Sequence, residues 1–170
     1  MDTLTIFERA TLANQFKILS FLDTANTESH LTDAEIFENG YTGLYSEALQ
    51  HINSEETSRE VCTETHDILT MFRYISNAID RLTAAEKAAL DLNKIKFDGF
   101  DANNDDHYHF ATFMIEKQEK YTEYSERDIN SHSMASMIRY RRMLPVYKSI
   151  LANHIYDFGV NELQQLIDVA

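Results

Sequence analysis

The side chains best equipped for chemistry fall in two stretches. Residues 97–124 carry Asp98, Asp101, Asn103, Asn104, Asp105, Asp106, His107 and His109, the densest run of carboxylate, amide and imidazole groups in the chain. Residues 134–156 carry Arg139, Arg141, Arg142 and Lys148 and no carboxylate, a basic island in a chain whose net charge is −13. His132 lies just upstream of that island. Arg139 and Arg142 are three apart, so on a helix they share a face. Asp98, Asp101, His132, Arg139 and Arg142 therefore form a candidate anion or ligand site, conditional on the fold bringing the two stretches together. Histidine would move protons there and the guanidinium groups would meet phosphate charge. The preferred reading is plainer: these arginines pair with the chain's own acids, Asp98 and Asp101 among them, or reach across a subunit interface.

The other constellations are weaker. Asp101, Asn103 and Asp105 match the first three ligand positions of a calcium-binding EF-hand loop. The position that needs glycine is Asp106, and the one that needs a bidentate glutamate is Thr112. A cluster of helix-capping residues is the better reading. His107 and His109 are two apart, which on a helix points them to opposite sides and prevents a shared ion. No metal and no cofactor is expected. Arg127-Asp128-Ile129-Asn130-Ser131-His132 has the arginine–polar–gap–histidine form of all-helical HEPN ribonucleases, and Arg59 to His66 fits more loosely. The form needs a helix, whereas residues 125–133 read as a polar loop. Cys62 sits among Glu60, Glu64 and Asp67, a setting that raises a thiol pKa and argues against a nucleophile. There is no phosphate loop and no nucleophile elbow.

The elements that must position these groups read as helices. Thr5-Ile6-Phe7-Glu8 is a capping box opening a helix to about Leu22. A second helix runs from the break at residues 23–26 to Asn39, with Gly40 in the left-handed position beyond its end. Gly43 marks another joint, followed by a short helix over 44–51. Asn53-Ser54-Glu55-Glu56 reads as the start of the most periodic helix, with Val61, Thr65, Ile68, Phe72, Ile75, Ile79 and Leu82 alternating in steps of four and three. Thr83-Ala84-Ala85-Glu86 repeats the capping box. Gly99 turns the chain, Asn104 or Asp105 caps the next helix, and that helix runs toward Tyr124. Its inward face is assigned to Tyr108, Ala111, Met114, Ile115 and Gln118. The last long pattern, from Met134 to Leu151, contains Pro145, where a kink is expected because proline lacks the N–H that a helix needs. Asn161-Glu162 opens a final short helix. No strand stands out.

Composition supports this. One proline and four glycines in 170 residues are too few for a turn-rich β protein. The acidic surface repels phosphate backbones, so nucleic acid is not the expected partner. The single cysteine excludes an intramolecular disulfide and fits a reducing cytosol. No segment has the roughly 20 apolar residues a membrane span requires, and no targeting signal is seen.

Leu12-Ala13-Asn14-Gln15, Asn39-Gly40-Tyr41, Phe97-Asp98-Gly99-Phe100-Asp101 leading to Tyr108 and Phe113, Asn130-Ser131-His132 and Tyr140-Arg141-Arg142-Met143-Leu144 occur in that order. In combination they resemble the YfbU family of small bacterial cytosolic proteins. The resemblance implies a helical, oligomeric, cytosolic protein and supplies no reaction; Pro145 departs from the family pattern. The expectation is a single all-α domain over residues 1–170, a helical bundle of about seven helices. It is expected in the cytoplasm, as a homo-oligomer with room for a protein partner and away from membranes. Ten Phe and nine Tyr without a tryptophan, on helices already supplied with a core stripe, motivate the oligomer. The leading function is non-catalytic interaction or regulation. The alternative is a phosphate-handling hydrolase, an RNase for example, using His132 with Arg139 and Arg142.

Overall fold

The computed structural model describes residues 3–124, 129–131 and 135–170. Among them are eight α-helices and one pair of two-residue strands, so the fold is all-α. The chain divides into two compact units, Met1–Glu56 and Thr57–Ala170.

The first unit holds α1 (Ile6–Leu22), α2 (Thr27–Asn39), a 3-10 turn (Thr42–Leu44) and α3 (Tyr45–Ala48). The capping box forms as the sequence predicts: the Glu8 N–H donates to Thr5 Oγ1 at 3.2 Å and the Thr5 N–H donates to Glu8 Oε2 at 2.8 Å. Glycine 40 ends α2 at φ 69°, and the Tyr41 N–H reaches back to the Ile36 carbonyl at 3.0 Å. The core is Ala13, Phe16, Ala34, Ile36, Phe37, Tyr45 and Ala48. Phe16 stacks on Phe37 at 5.7 Å, and Phe37 on Tyr45 at 5.1 Å.

The second unit is organised on α4 (Arg59–Arg81). Thr65, Ile68, Leu69, Met71, Phe72, Ile75 and Ala78 are buried along it, in the phase of the predicted stripe. The helix begins later than expected. Residues 53–56 are exposed and non-helical, because they offer no apolar face to bury. Ser58 caps the helix instead, its hydroxyl accepting from the Val61 N–H at 3.2 Å, where the stripe starts. Thr83 opens α5 (Ala84–Ala89) with the predicted capping box. A 3-10 turn (Leu92–Ile95) leads to β1 (Phe100–Asp101), α6 (Asp106–Glu116), β2 (Asn130–Ser131), α7 (Ala135–Ala152) and α8 (Val160–Val169).

Three further expectations change. α6 stops at Glu116, short of Tyr124, because the chain turns left-handed at Glu119 (φ 53°) and Tyr121 (φ 56°). That turn sends the Tyr121 ring back onto α4, where its hydroxyl lies 2.6 Å from Thr70 Oγ1 and Arg73 covers its face. The buried face of α6 is His107, Ala111, Met114 and Ile115, while Gln118 is exposed. A strand pair is present: β1 and β2 run parallel, Phe100 opposite Asn130 and Asp101 opposite Ser131. Two-residue strands leave no alternation for a sequence to show. Pro145 lies inside α7, within the helical pattern where the sequence places it.

Candidate functional site

Tyr140, on the buried face of α7, is the residue around which Asp98 and Arg139 are arranged. It is fully buried. Its ring meets Phe72 of α4 at 4.8 Å, Phe97 at 5.9 Å and Phe100 at 6.2 Å. Its hydroxyl accepts from the Asp98 N–H at 2.8 Å and donates to the Gly99 carbonyl at 3.1 Å. Gly99 sits at φ 80°, a left-handed turn that glycine adopts without steric cost. One tyrosine thus holds both walls of the turn that presents Asp98. Burial pushes the Tyr140 hydroxyl up to about 12.

Asp98 and Arg139 are brought together. Arg139 Nη2 donates to Asp98 Oδ2 at 2.7 Å and to the Lys96 carbonyl at 2.8 Å. This is the plainer of the two readings of the basic island. Asp101 is buried and performs a local task. Its carboxylate accepts from the Asn103 N–H and from Asn104 Nδ2, both at 2.9 Å, and its own N–H donates to Asp105 Oδ2 at 2.9 Å. The calcium-like spacing is therefore an Asx turn, and Asp105 begins α6 without a side-chain bond to the helix amides. Arg142 is exposed and forms no ion pair among the described residues. His132 and Arg127 lie outside the described residues, so the HEPN-like arrangement at 127–132 does as well.

A second constellation was not singled out from sequence. Glu64 on α4 accepts from Arg141 Nε at 2.9 Å and Nη2 at 2.8 Å, and lies 2.8 Å from His107 Nε2 of α6. Hydrogen bonds from Arg141 hold the Glu64 carboxyl below its usual range; burial opposes them and His107 adds to them. His107 is buried and stacks on Phe100 at 5.8 Å, while His109 is exposed. The two histidines point apart as their spacing requires. The missed signal was the phase of Glu64. It sits three residues after Val61 and four before Ile68, on the stripe itself, and a carboxylate there needs partners.

Between α4 and α7 a cleft of about 510 Å³ is lined by Arg59, Glu64, Asp67, Arg141, Leu144 and Lys148, among others. Its charges alternate in sign and two of its cations are engaged, Arg141 by Glu64 and Lys148 by Asp67 at 2.6 Å. Thr63 is the hydroxyl in its wall. Such a surface can orient a zwitterionic or mixed-charge group. Among the described residues no base is hydrogen-bonded to Thr63, the pairing that covalent catalysis uses. Among the described residues no group of three or more His, Cys, Asp and Glu side chains is placed to hold a metal, and no helix is long and apolar enough to cross a membrane.

The YfbU domain model matches residues 1–169. The chain belongs to the YfbU family. The match runs through both compact units and takes in every motif on which the resemblance was drawn. It names no reaction, so a functional reading has to come from the side chains.

Proposed function

We propose that this YfbU-family protein is a non-catalytic cytosolic protein that works through contacts made by its helices. The observation that carries this reading is the contrast between its polar and apolar groups. Arg142 excepted, the described charged groups near the predicted site are engaged in the fold: Arg139 with Asp98, Arg141 and His107 with Glu64, Lys148 with Asp67. Large apolar side chains, by contrast, stand in solvent. On α1 alone these are Ile6, Phe7, Ile18, Leu19, Phe21 and Leu22. Monomeric soluble surfaces rarely carry contiguous apolar patches beyond a few hundred Å², and larger ones mark interaction sites. A phosphate hydrolase would need Arg139 available to meet substrate charge, and its guanidinium is held by Asp98 and the Lys96 carbonyl.

The test pairs two assays on the full chain. One incubates it with RNA and with a panel of phosphate monoesters and diesters. The other captures partners from a native lysate, with Phe21→Glu and Arg142→Ala as comparisons, and scores protein and RNA together. The expected result is no turnover, with stoichiometric protein retention that Phe21→Glu removes and Arg142→Ala leaves intact. Turnover that Arg142→Ala abolishes in a folded variant would overturn the reading.

A further inference from the structure

α1 carries apolar side chains on two sides, about 130° apart around the helix. Its inner side, Ala13, Phe16 and Ser20, is buried in the first unit's core. Its outer side carries Phe7, Ala10, Asn14, Ile18 and Phe21 in steps of three and four, all exposed, flanked by exposed Ile6 and Leu22. A helix needs one apolar side to join its own core; a second one faces something else. Phe7 and Phe21 are each about four-fifths exposed, at 80% and 81%. Those two rings alone leave roughly 300 Å² of apolar surface in water. With Ile6, Ile18 and Leu22 the face approaches the roughly 800 Å² per partner of a standard interface.

The order of residues on this face says what covers it. The outer side is near-symmetric about Asn14, identical at the two phenylalanines, alike in kind at Ile6 and Leu22, and unlike in size at Ala10 and Ile18. Phe7 lies seven residues before it and Phe21 seven after; Ile6 lies eight before and Leu22 eight after; Ala10 lies four before and Ile18 four after. A two-fold dimer interface is isologous, so each residue must meet its counterpart across the axis. We propose that α1 pairs antiparallel with α1 of a second copy of this chain. The two-fold axis passes at Asn14, Phe7 packs on Phe21 of the other chain, Ala10 meets Ile18 at each end, and Ile6 and Leu22 border the seam on opposite edges.

Size and charge fit this pairing. Ala10 opposite Ile18 sets a small side chain against a large one, which lets the helices approach. Asn14 meets its own copy at the axis, where an amide pair can hydrogen-bond and fix the register, as single buried asparagines do in coiled coils. The chain carries a net charge of −13, so two copies repel across most of their surfaces. The α1 face is bordered by the Lys17–Glu38 pair and by Arg9, which lines one groove with Ala10 and Asn14. The face adds no unpaired acid to that repulsion.

This inference rests on the interaction-protein reading and names the partner. Sedimentation equilibrium of the full chain over a wide concentration range, with Phe21→Glu alongside, reads the assembly. Cysteine pairing in a Cys62→Ser background reads its geometry. Helix axes 8–10 Å apart bring the Cα atoms of residues at the axis within disulfide reach. The expected result is twice the 19.7 kDa chain mass, a shift of the dissociation constant by at least a hundredfold toward monomer in Phe21→Glu with unchanged circular dichroism, and a spontaneous disulfide in Asn14→Cys. Ala10→Cys chains mixed with Ile18→Cys chains should join to each other, and neither should join to itself. A wild-type monomer throughout, a dimer indifferent to Phe21→Glu, or a dimer in which Ala10→Cys joins to itself would overturn the proposal. A wild-type monomer that still retains a lysate protein through α1 would overturn this inference and leave the interaction reading standing.

Discussion

Glu64 on α4 and Arg141 on α7, 77 residues apart, are joined by two parallel hydrogen bonds of 2.9 and 2.8 Å, and the same carboxylate lies 2.8 Å from His107 of α6. One side chain thus ties three helices. The partners are unequal. The Arg141 side chain is 58% exposed and that of His107 is 6% exposed, so water can replace Glu64 for the arginine but not for the histidine. Glu64→Ala should destabilise the protein by about 1–3 kcal/mol, the cost of leaving a buried polar group unmatched. Arg141→Ala should cost less, about 0.5–1 kcal/mol, as for solvent-screened pairs. Urea unfolding of both variants checks the order. A larger loss in Arg141→Ala would mean that the arginine, not the histidine, anchors the network.

The same carboxylate gives the protein an acid-side pH dependence. The Glu64 pKa is lowered in the folded chain, while an unfolded glutamate titrates near 4.3. In the window between the two values the unfolded chain binds more protons, so stability falls as pH falls. The contribution is fully present above the unfolded value and is lost as pH drops through the folded one. Glu64→Gln keeps the shape and removes the titration. The stability gap between wild type and Glu64→Gln should be widest near pH 6 and should shrink toward pH 3. Denaturation midpoints across that range measure it.

Much of this architecture was legible because it rests on local rules. Both threonine capping boxes, the glycine end of α2 and the α4 stripe depend on residues within a few positions of one another. What was not legible depends on residues far apart in sequence. Nothing near Glu64 signals that its partners are His107 and Arg141. The two-residue strands exist only because Phe100 and Asn130 meet. The early end of α6 follows from Tyr121 finding its place against Thr70 and Arg73, a tertiary gain that outweighs the helical tendency of residues 117–124. At the candidate site the sequence offers Asp98 and Arg139 among several acids and arginines, but not which of them pair, nor Tyr140 as the residue that positions Asp98, since a buried tyrosine hydroxyl looks like any other aromatic until its partners are known.

Gly40 offers a test in the first unit. Its φ of 69° lies in the left-handed region, and an added Cβ would fall 2.6 Å from Arg9 Nη1. That atom ends a flexible side chain that reaches the Phe37 and Glu38 carbonyls at 3.5 and 3.4 Å. It can swing away at the expense of those weak bonds, whereas the backbone strain cannot be relieved. Gly40→Ala should therefore cost about 1–2 kcal/mol, and should cost nearly as much in an Arg9→Ala background. If the penalty vanishes when Arg9 is truncated, the clash rather than the dihedral is the cause. Chemical denaturation of the four chains separates the two.

Tyrosine ionisation reports directly on the packing around the candidate site. Burial raises the hydroxyl pKa of Tyr121, Tyr124, Tyr140 and Tyr147, with Tyr140 pushed up to about 12. Unfolded tyrosine titrates near 10. A group whose pKa is higher in the folded state contributes stability that is complete below the unfolded value and disappears as pH rises through the folded one. The protein should therefore lose stability between about pH 10 and 12, and the ultraviolet titration of its nine tyrosines should rise in two phases, the later one coinciding with unfolding. Tyr140→Phe should lower the late amplitude and, by stripping the Asp98 N–H and Gly99 carbonyl of their shared partner, destabilise the fold by about 1–3 kcal/mol at neutral pH. It should also free Asp98 to shift relative to Arg139. Measured as a double-mutant cycle, the coupling between Asp98→Ala and Arg139→Ala should fall when Tyr140 is phenylalanine. An unchanged coupling would show that Arg139, through the Lys96 carbonyl, positions the turn on its own.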